Sequence, residues 1–176
     1  MKQSNKITLS GLMAALACVF MLLSYFPYLT YGIPALAGLF IMVTVIEIDC
    51  KWAAGAYLTS AVLVFLFAEP ESKLMYITLL GYYPIVKALI ERIDKPLIEW
   101  VIKISIFNAA VFLVYFVLAG LFSISLDDLG KRGKYGTALL LALGNGAFVL
   151  YDIALSRISA VYMAMLHKTL RKFFKN

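Results

Sequence analysis

The residues most able to do chemistry lie between positions 79 and 91, where the sequence LLGYYPIVKALIE places a tyrosine pair, a proline and a lysine in an apolar run. Pro84 lacks an N–H and clashes with the carbonyl four residues earlier, so we expect a helix here to bend near Tyr82 and Tyr83. If the run spans a bilayer, its phenols and the Lys87 amine are costly there and mark a functional site. The alternative is structural: packed tyrosines, a tolerated kink, and a lysine that extends to an interface.

Other polar side chains interrupt the apolar segments, and one group falls in the outer half of the membrane and near its midplane. Hydroxyl and amide groups can hydrogen-bond a polar solute while aromatic rings stack on it, which is the usual composition of a small-molecule pocket. We therefore predict a substrate-binding group of Tyr76, Tyr82, Tyr83, Asn108, Asn145 and Tyr151. For the asparagines, hydrogen bonding between helices is an equal alternative, worth about 0.5 to 2 kcal/mol in a membrane.

A second polar group lies toward the inner face of the membrane and is charged. An unpaired charge at that depth costs on the order of 3 kcal/mol on insertion scales, so we expect these side chains to pair across helices. The predicted members are Glu47, Lys87, Glu91, Asp152 and Arg157. One interpretation is a structural ion network. The other is a proton or cation relay, because coupled transport uses acids and bases in one layer.

The composition shows what kind of protein carries these residues. The chain has 176 residues, of which 63% are hydrophobic and 15% charged, whereas soluble domains are about half apolar. It is therefore predicted to be an integral membrane protein in a lipid bilayer, with residues 1–176 as a single domain. The net charge of +6 does not indicate nucleic acid, because the basic residues lie at helix ends and not on an aromatic platform.

Apolar runs of spanning length predict an all-α, polytopic fold with about six transmembrane helices. Most of the 16 Lys and Arg residues fall in alternate segments that include both ends of the chain, so the positive-inside rule predicts cytoplasmic N- and C-termini. The second and third runs are short for a bilayer. The predicted spans are Ile7–Phe26, Ile33–Ile48, Trp52–Ala68, Leu74–Ile90, Ile98–Phe122 and Gly136–Leu155 with a continuation beyond it.

Sequence motifs for familiar catalysis are absent. The chain contains no H-E-x-x-H, Walker A or G-x-S-x-G motif, which argues against a metalloprotease, an ATPase and a serine hydrolase. Cys18, Cys50 and His167 are not at metal-ligand spacing. We therefore expect no metal, no cofactor and no enzymatic activity, and the chain has no motif with which to power transport by nucleotide hydrolysis.

The first predicted helix carries small residues at steps of four. Ser10, Ala14 and Cys18 form one stripe, and Gly11 and Ala15 form another beside it. Small residues let a neighbouring backbone approach closely. That neighbour is either another helix of this chain or a separate protein.

Short spans, predicted cytoplasmic termini, a basic start, a small-residue first helix and no ATPase motif together resemble the substrate-binding S components of energy-coupling factor transporters. That family is similar in carrying an A-x-x-x-A motif on its first helix, which docks onto a membrane coupling subunit driven by two ATPases. This sequence has Gly11-x-x-x-Ala15 and Ala14-x-x-x-Cys18 at the matching place. The resemblance implies that Gly11, Ala14 and Ala15 dock onto such a coupling subunit. It implies location in a prokaryotic cell membrane. It also implies capture of a small-molecule substrate, a vitamin or similar micronutrient, from outside.

Two other classes of function fit the same residues. One is a membrane scaffold that binds proteins and no small molecule, for which we expect a compact interior. The other is a self-sufficient ion-coupled carrier or intramembrane enzyme that uses Glu47, Lys87 and Asp152. For the carrier, inverted repeats are a common sign. No such repeat is evident in the sequence.

Overall fold

The structure is a computed structural model, and it describes residues 2–26, 28–121 and 133–165. This part of the chain is helical throughout apart from short turns, which confirms the all-α prediction. The helices in chain order are α1 (Gln3–Leu22), α2 (Ile33–Glu47), α3 (Cys50–Phe67), α4 (Pro70–Met75), α5 (Tyr83–Ile90), α6 (Pro96–Leu121) and α7 (Gly133–Met165), with 3₁₀ turns at Leu23–Tyr25 and Glu91–Ile93 and a π-helical turn at Tyr76–Leu80.

Several helical segments in the described ranges are long and apolar enough to cross a membrane, as expected for a polytopic protein. They are Gln3–Tyr25, Cys50–Phe67, Pro70–Ile93, Pro96–Val114 and Leu141–Met165. Helix α2 has only 15 residues, and at about 1.5 Å per residue it is shorter than a hydrocarbon core of roughly 30 Å. It packs against α1, α3, α5 and α7, so the short helix lies inside the bundle.

Small side chains allow this close packing around α2. Ala14 of α1 and Ala53 of α3 are buried in one cluster with Ile41 of α2. Ala17 of α1 and Ala37 of α2 are both 0% exposed in an adjacent cluster. Because alanine side chains are small, α1, α2 and α3 pack closely against one another.

Side-chain contacts show which turns lie at the same end of the bundle. At one end the Tyr25 hydroxyl donates to the Phe67 carbonyl at 2.9 Å, and the Tyr31 hydroxyl donates to the Glu71 carboxylate at 2.9 Å. That carboxylate raises the pKa of the Tyr31 phenol, because ionisation would break the bond and place two negative charges together. At the other end the Arg92 guanidinium reaches the Cys50 sulfur at 3.8 Å.

The fourth span is broken in its middle, as Pro84 predicts. Gly81 N–H donates to the Tyr76 carbonyl five residues earlier at 2.8 Å, which closes the π-helical turn. The chain then leaves helical hydrogen bonding at Gly81 and Tyr82, and α5 starts again at Tyr83 with Pro84 in its first turn. Proline is tolerated there because a first-turn N–H has no helical partner.

The break frees backbone carbonyls, and tyrosine hydroxyls from other helices bond them. Leu80 O, which Pro84 cannot bond, accepts from the Tyr151 hydroxyl of α7 at 3.1 Å. Ile77 O, displaced by the π-helical turn, accepts from the Tyr57 hydroxyl of α3 at 2.6 Å. Since unpaired backbone groups cost several kcal/mol in hydrocarbon, these two tyrosines make the break tolerable.

Gly38 of α2 makes room for one of these contacts. A Cβ atom at this position would lie 2.6 Å from the Tyr151 hydroxyl oxygen and 2.8 Å from Leu80 O. The second neighbour is backbone, so a side-chain rotation cannot relieve the clash. Only glycine fits between α2 and the break.

Replacing Gly38 with alanine should therefore destabilise the protein by about 1–3 kcal/mol, the usual cost of overpacking. The matched control is Gly55→Ala on α3, where an added Cβ meets nothing within 4 Å, and it should change stability by less than about 0.5 kcal/mol. Unfolding by SDS titration or heat in micelles measures both variants. Equal stabilities would contradict the close approach of α2 to the break.

Candidate functional site

The candidate site is a cluster of charged side chains where α5, α6 and α7 meet. Lys87 Nζ lies 2.6 Å from Asp152 Oδ1 and 2.7 Å from Glu91 Oε1. Lys103 Nζ lies 3.2 Å from Asp152 Oδ1 and 2.9 Å from Glu91 Oε1. Each lysine thus contacts both carboxylates, and the two positive and two negative charges balance.

The cluster also includes a tyrosine and is largely buried. The Tyr83 hydroxyl donates to Asp152 Oδ1 at 2.5 Å. Exposed fractions are 2% for Tyr83, 6% for Lys87, 4% for Lys103 and 3% for Asp152, while the Glu91 side chain is 42% exposed. We call these five residues the Asp152 cluster, because its carboxylate is bonded by three of the other four.

Helix α7 carries Asp152 into the bundle because its inward-facing residues recur at alternating steps of three and four. Such spacing places them on one face of a helix. Phe148 on this face packs edge-on against the Tyr83 ring at 4.9 Å and stacks on Phe107 of α6 at 4.5 Å. The face consists of Asn145, Phe148, Asp152, Leu155, Ser159 and Tyr162.

The cluster agrees with the predicted charged layer only in part. Lys87, Glu91 and Asp152 come together as expected, but Glu47 instead accepts a hydrogen bond from the Tyr162 hydroxyl at 2.9 Å. Arg157 is exposed and forms no ion pair with any residue in the described ranges. Lys103 is a further member that the sequence does not predict, because it falls among the basic residues near helix ends.

The residues predicted to bind substrate are hydrogen-bonded or packed within the bundle. Tyr76 is fully buried, and its hydroxyl lies 2.7 Å from the Ser60 hydroxyl. Tyr82 packs edge-on against Tyr57 with ring centroids 6.2 Å apart. The Tyr83 hydroxyl bonds to Asp152, and the Tyr151 hydroxyl bonds to Leu80 O. Three of the four tyrosines are therefore hydrogen-bonded within the protein, and the ring of the fourth, Tyr82, packs on another ring.

The two predicted asparagines bond each other. Asn108 Nδ2 donates to Asn145 Oδ1 at 3.0 Å, and Asn145 Nδ2 donates to Asn108 Oδ1 at 3.2 Å. This is the interhelical alternative that the sequence left open. Together with the Lys103 ion pairs and the Phe107 stack, it attaches α6 to α7.

A cavity of about 110 Å³ adjoins the Asp152 cluster between α2, α5 and α7. None of the six predicted substrate-binding residues lines it. Its polar edge consists of Lys87, Glu91 and Ser159, and the rest of its wall is apolar. We call it the Lys87 cavity; its apolar wall consists of Met42, Val45, Ile46, Pro84, Ala88 and Leu155.

The small residues of α1 divide between its two faces. Ala14 is 2% exposed and packed inside the bundle, so it offers no docking surface here. Gly11 and Ala15 are exposed, and an added Cβ on Gly11 would meet nothing within 4 Å. Docking through α1 therefore remains a prediction for Gly11 and Ala15.

Comparison of the chain with protein families, with curated proteins and with solved structures gives no match. Within the described ranges, no group of three or more His, Cys, Asp and Glu side chains is placed to hold a metal ion. Hydrogen bonding, charge pairing and the shape of the cavity are the features with which the described residues of the site can bind a ligand.

The ion cluster predicts a strong dependence of stability on charge balance. Asp152→Asn or Lys103→Met alone should each cost about 3–5 kcal/mol, because each leaves a buried charge without compensation. The double variant leaves Lys87 and Glu91 as a balanced pair. Its loss of stability should therefore be smaller than the sum of the two single losses by more than about 0.5 kcal/mol.

Arg157→Met is the control, since Arg157 is exposed on α7, and it should change stability by less than about 0.5 kcal/mol. SDS-induced unfolding of all four proteins in micelles measures the cycle. Strictly additive costs would show that Asp152 and Lys103 do not interact.

Proposed function

We propose that this protein is the substrate-capture subunit of a vitamin or micronutrient uptake transporter in a prokaryotic cell membrane, and that a separate ATPase module drives it. The observation that carries the proposal is the broken fourth span beside the buried Asp152 cluster. Discontinuous membrane helices and buried ionisable groups are recurrent features of solute-binding sites in transporters. A bundle of this size with no nucleotide-binding motif needs an external source of energy.

The proposed contact with the coupling subunit is the exposed face of α1. Gly11 and Ala15 lie one turn apart on it, and both leave space for an approaching helix. The opposite face of α1 packs on α2 and α3. In this proposal both termini are cytoplasmic, and one surface of the protein binds the partner while another binds the solute.

A membrane scaffold without a small-molecule ligand is the second candidate. It is favoured by the hydrogen bonds that join the predicted pocket residues to one another or to backbone carbonyls, such as Asn108 to Asn145 and Tyr151 to Leu80. An ion-coupled carrier would use Glu47, Lys87 and Asp152. Lys87 and Asp152 are paired, but the Glu47 carboxylate lies outside these ion pairs and accepts a hydrogen bond from Tyr162.

Thermal unfolding of the purified protein in micelles, with water-soluble vitamins and their precursors added singly, separates substrate capture from the scaffold. A specific ligand at about 100 times its Kd stabilises the folded state by roughly 2.7 kcal/mol, so the melting temperature should rise. No rise with any compound, together with co-purification of cell-shape proteins, would favour the scaffold.

The two-surface arrangement predicts that Ala15→Leu abolishes uptake of the stabilising compound but leaves its thermal shift unchanged. The bulky side chain blocks close approach on an exposed face without entering the core. The control is Ala109→Leu at an exposed position of α6, which should affect neither measurement. Loss of the thermal shift in the Ala15 variant would contradict the separation of binding from docking.

A further inference from the structure

The Lys87 cavity is large enough for a small molecule. A water needs only about 10–15 Å³, and an engineered apolar cavity of about 150 Å³ binds benzene. At about 110 Å³, this cavity therefore suits a compound of about four or five non-hydrogen atoms.

The wall of the cavity selects an amphipathic compound. Side chains such as Met42, Ile46 and Leu155 provide an apolar surface for a hydrocarbon body. Lys87 and Ser159 lie on the polar edge, and the Ser159 hydroxyl donates its proton to the Ser156 carbonyl at 2.9 Å. The ligand therefore needs one polar end and one apolar end.

One N–H donor of the Lys87 amine is not used by the carboxylates of the Asp152 cluster. A lysine amine has three N–H donors, and Lys87 Nζ has carboxylate partners in Asp152 and Glu91. No other acceptor among the described residues bonds it. Because Lys87 is 6% exposed and lines the cavity, a bound ligand can accept the third N–H.

Charge balance restricts the ligand to a neutral compound. The two lysines and two carboxylates of the Asp152 cluster already compensate one another. A cation or an anion in the cavity would add an uncompensated charge to a buried layer, which is unfavourable.

We infer that the Lys87 cavity binds a small neutral molecule with one hydrogen-bond acceptor and a short apolar body, such as a ketone, an alcohol or an amide. Lys87 donates to the acceptor, and side chains of α2 and α7 pack against the hydrocarbon. Glu91, the exposed member of the cluster, marks the edge through which the ligand enters.

The test is ligand-detected NMR with 2-butanone, which matches the cavity in size, on the full chain in nanodiscs. Three probes of similar size serve for comparison: sec-butylammonium as a cation, propionate as an anion, and 2-methyl-1-butene as a compound of the same shape without an acceptor. Empty nanodiscs provide the background of lipid binding. Only 2-butanone should bind well to the protein itself.

Ala88→Leu fills the cavity from α5 and should raise the Kd for 2-butanone at least roughly tenfold, whereas Ala109→Leu at an exposed position of α6 should not change it. Ser159→Leu fills the cavity from α7 and replaces the first variant if that one does not fold. Equal Kd values in the wild type and a folded cavity-filled variant would overturn the proposal. Tighter binding of either ion, or equal binding of the alkene, would overturn it as well.

This binding does not depend on the transport function proposed above. A failed NMR assay would remove the Lys87 cavity as a site and leave vitamin capture untouched. Failure of every vitamin to stabilise the protein would remove the transport proposal and leave the cavity assay unaffected.

Discussion

The structure depends on one constraint: a polar group inside an apolar bundle needs a partner from the protein itself. The Asp152 carboxylate meets this need for three side chains, since Tyr83, Lys87 and Lys103 all bond to it. Tyr83 and Lys87 belong to α5, Lys103 belongs to α6, and Asp152 belongs to α7. A single carboxylate therefore fixes the relative positions of three helices. The same contacts neutralise the charges that make the helices costly to place in hydrocarbon.

The break in the fourth span follows the same constraint at the level of the backbone. Pro84 removes one helical hydrogen bond, and the π-helical turn displaces another. The hydroxyls of Tyr57 and Tyr151 bond the released carbonyls from two different helices, and Gly38 leaves the space in which one of these bonds forms. The break in turn sets the direction of α5, and α5 with the 3₁₀ turn that follows it carries Lys87 and Glu91 to the cluster and to the cavity. The fold and the candidate site are thus linked through a single interruption.

The sequence predicts this architecture well where the signal is local. Apolar run lengths give the spans, Pro84 gives the break, and the cost of buried charge predicts that Lys87 and Asp152 pair. Lateral neighbours are harder, because they depend on which helix faces meet. Lys103 reads as an ordinary basic residue near a helix end until α6 is placed beside α7. The spacing from Asn145 to Tyr162 was the available signal for the inward face of α7. Nothing comparable indicated that Tyr57 bonds Ile77 O, because a π-helical turn has no strong sequence signature.

The ion pairs of Asp152 with Lys87 and Lys103 require that Asp152 is ionised inside the bundle. Infrared spectroscopy of the protein in lipid vesicles, with the aspartate side-chain carboxyl groups labelled with ¹³C, tests this claim directly when the wild type is compared with Asp152→Asn. We expect the substitution to remove an ionised carboxylate band that is insensitive to added salt. Loss of a protonated carboxyl band instead would contradict it, because a neutral Asp152 cannot compensate Lys87 and Lys103.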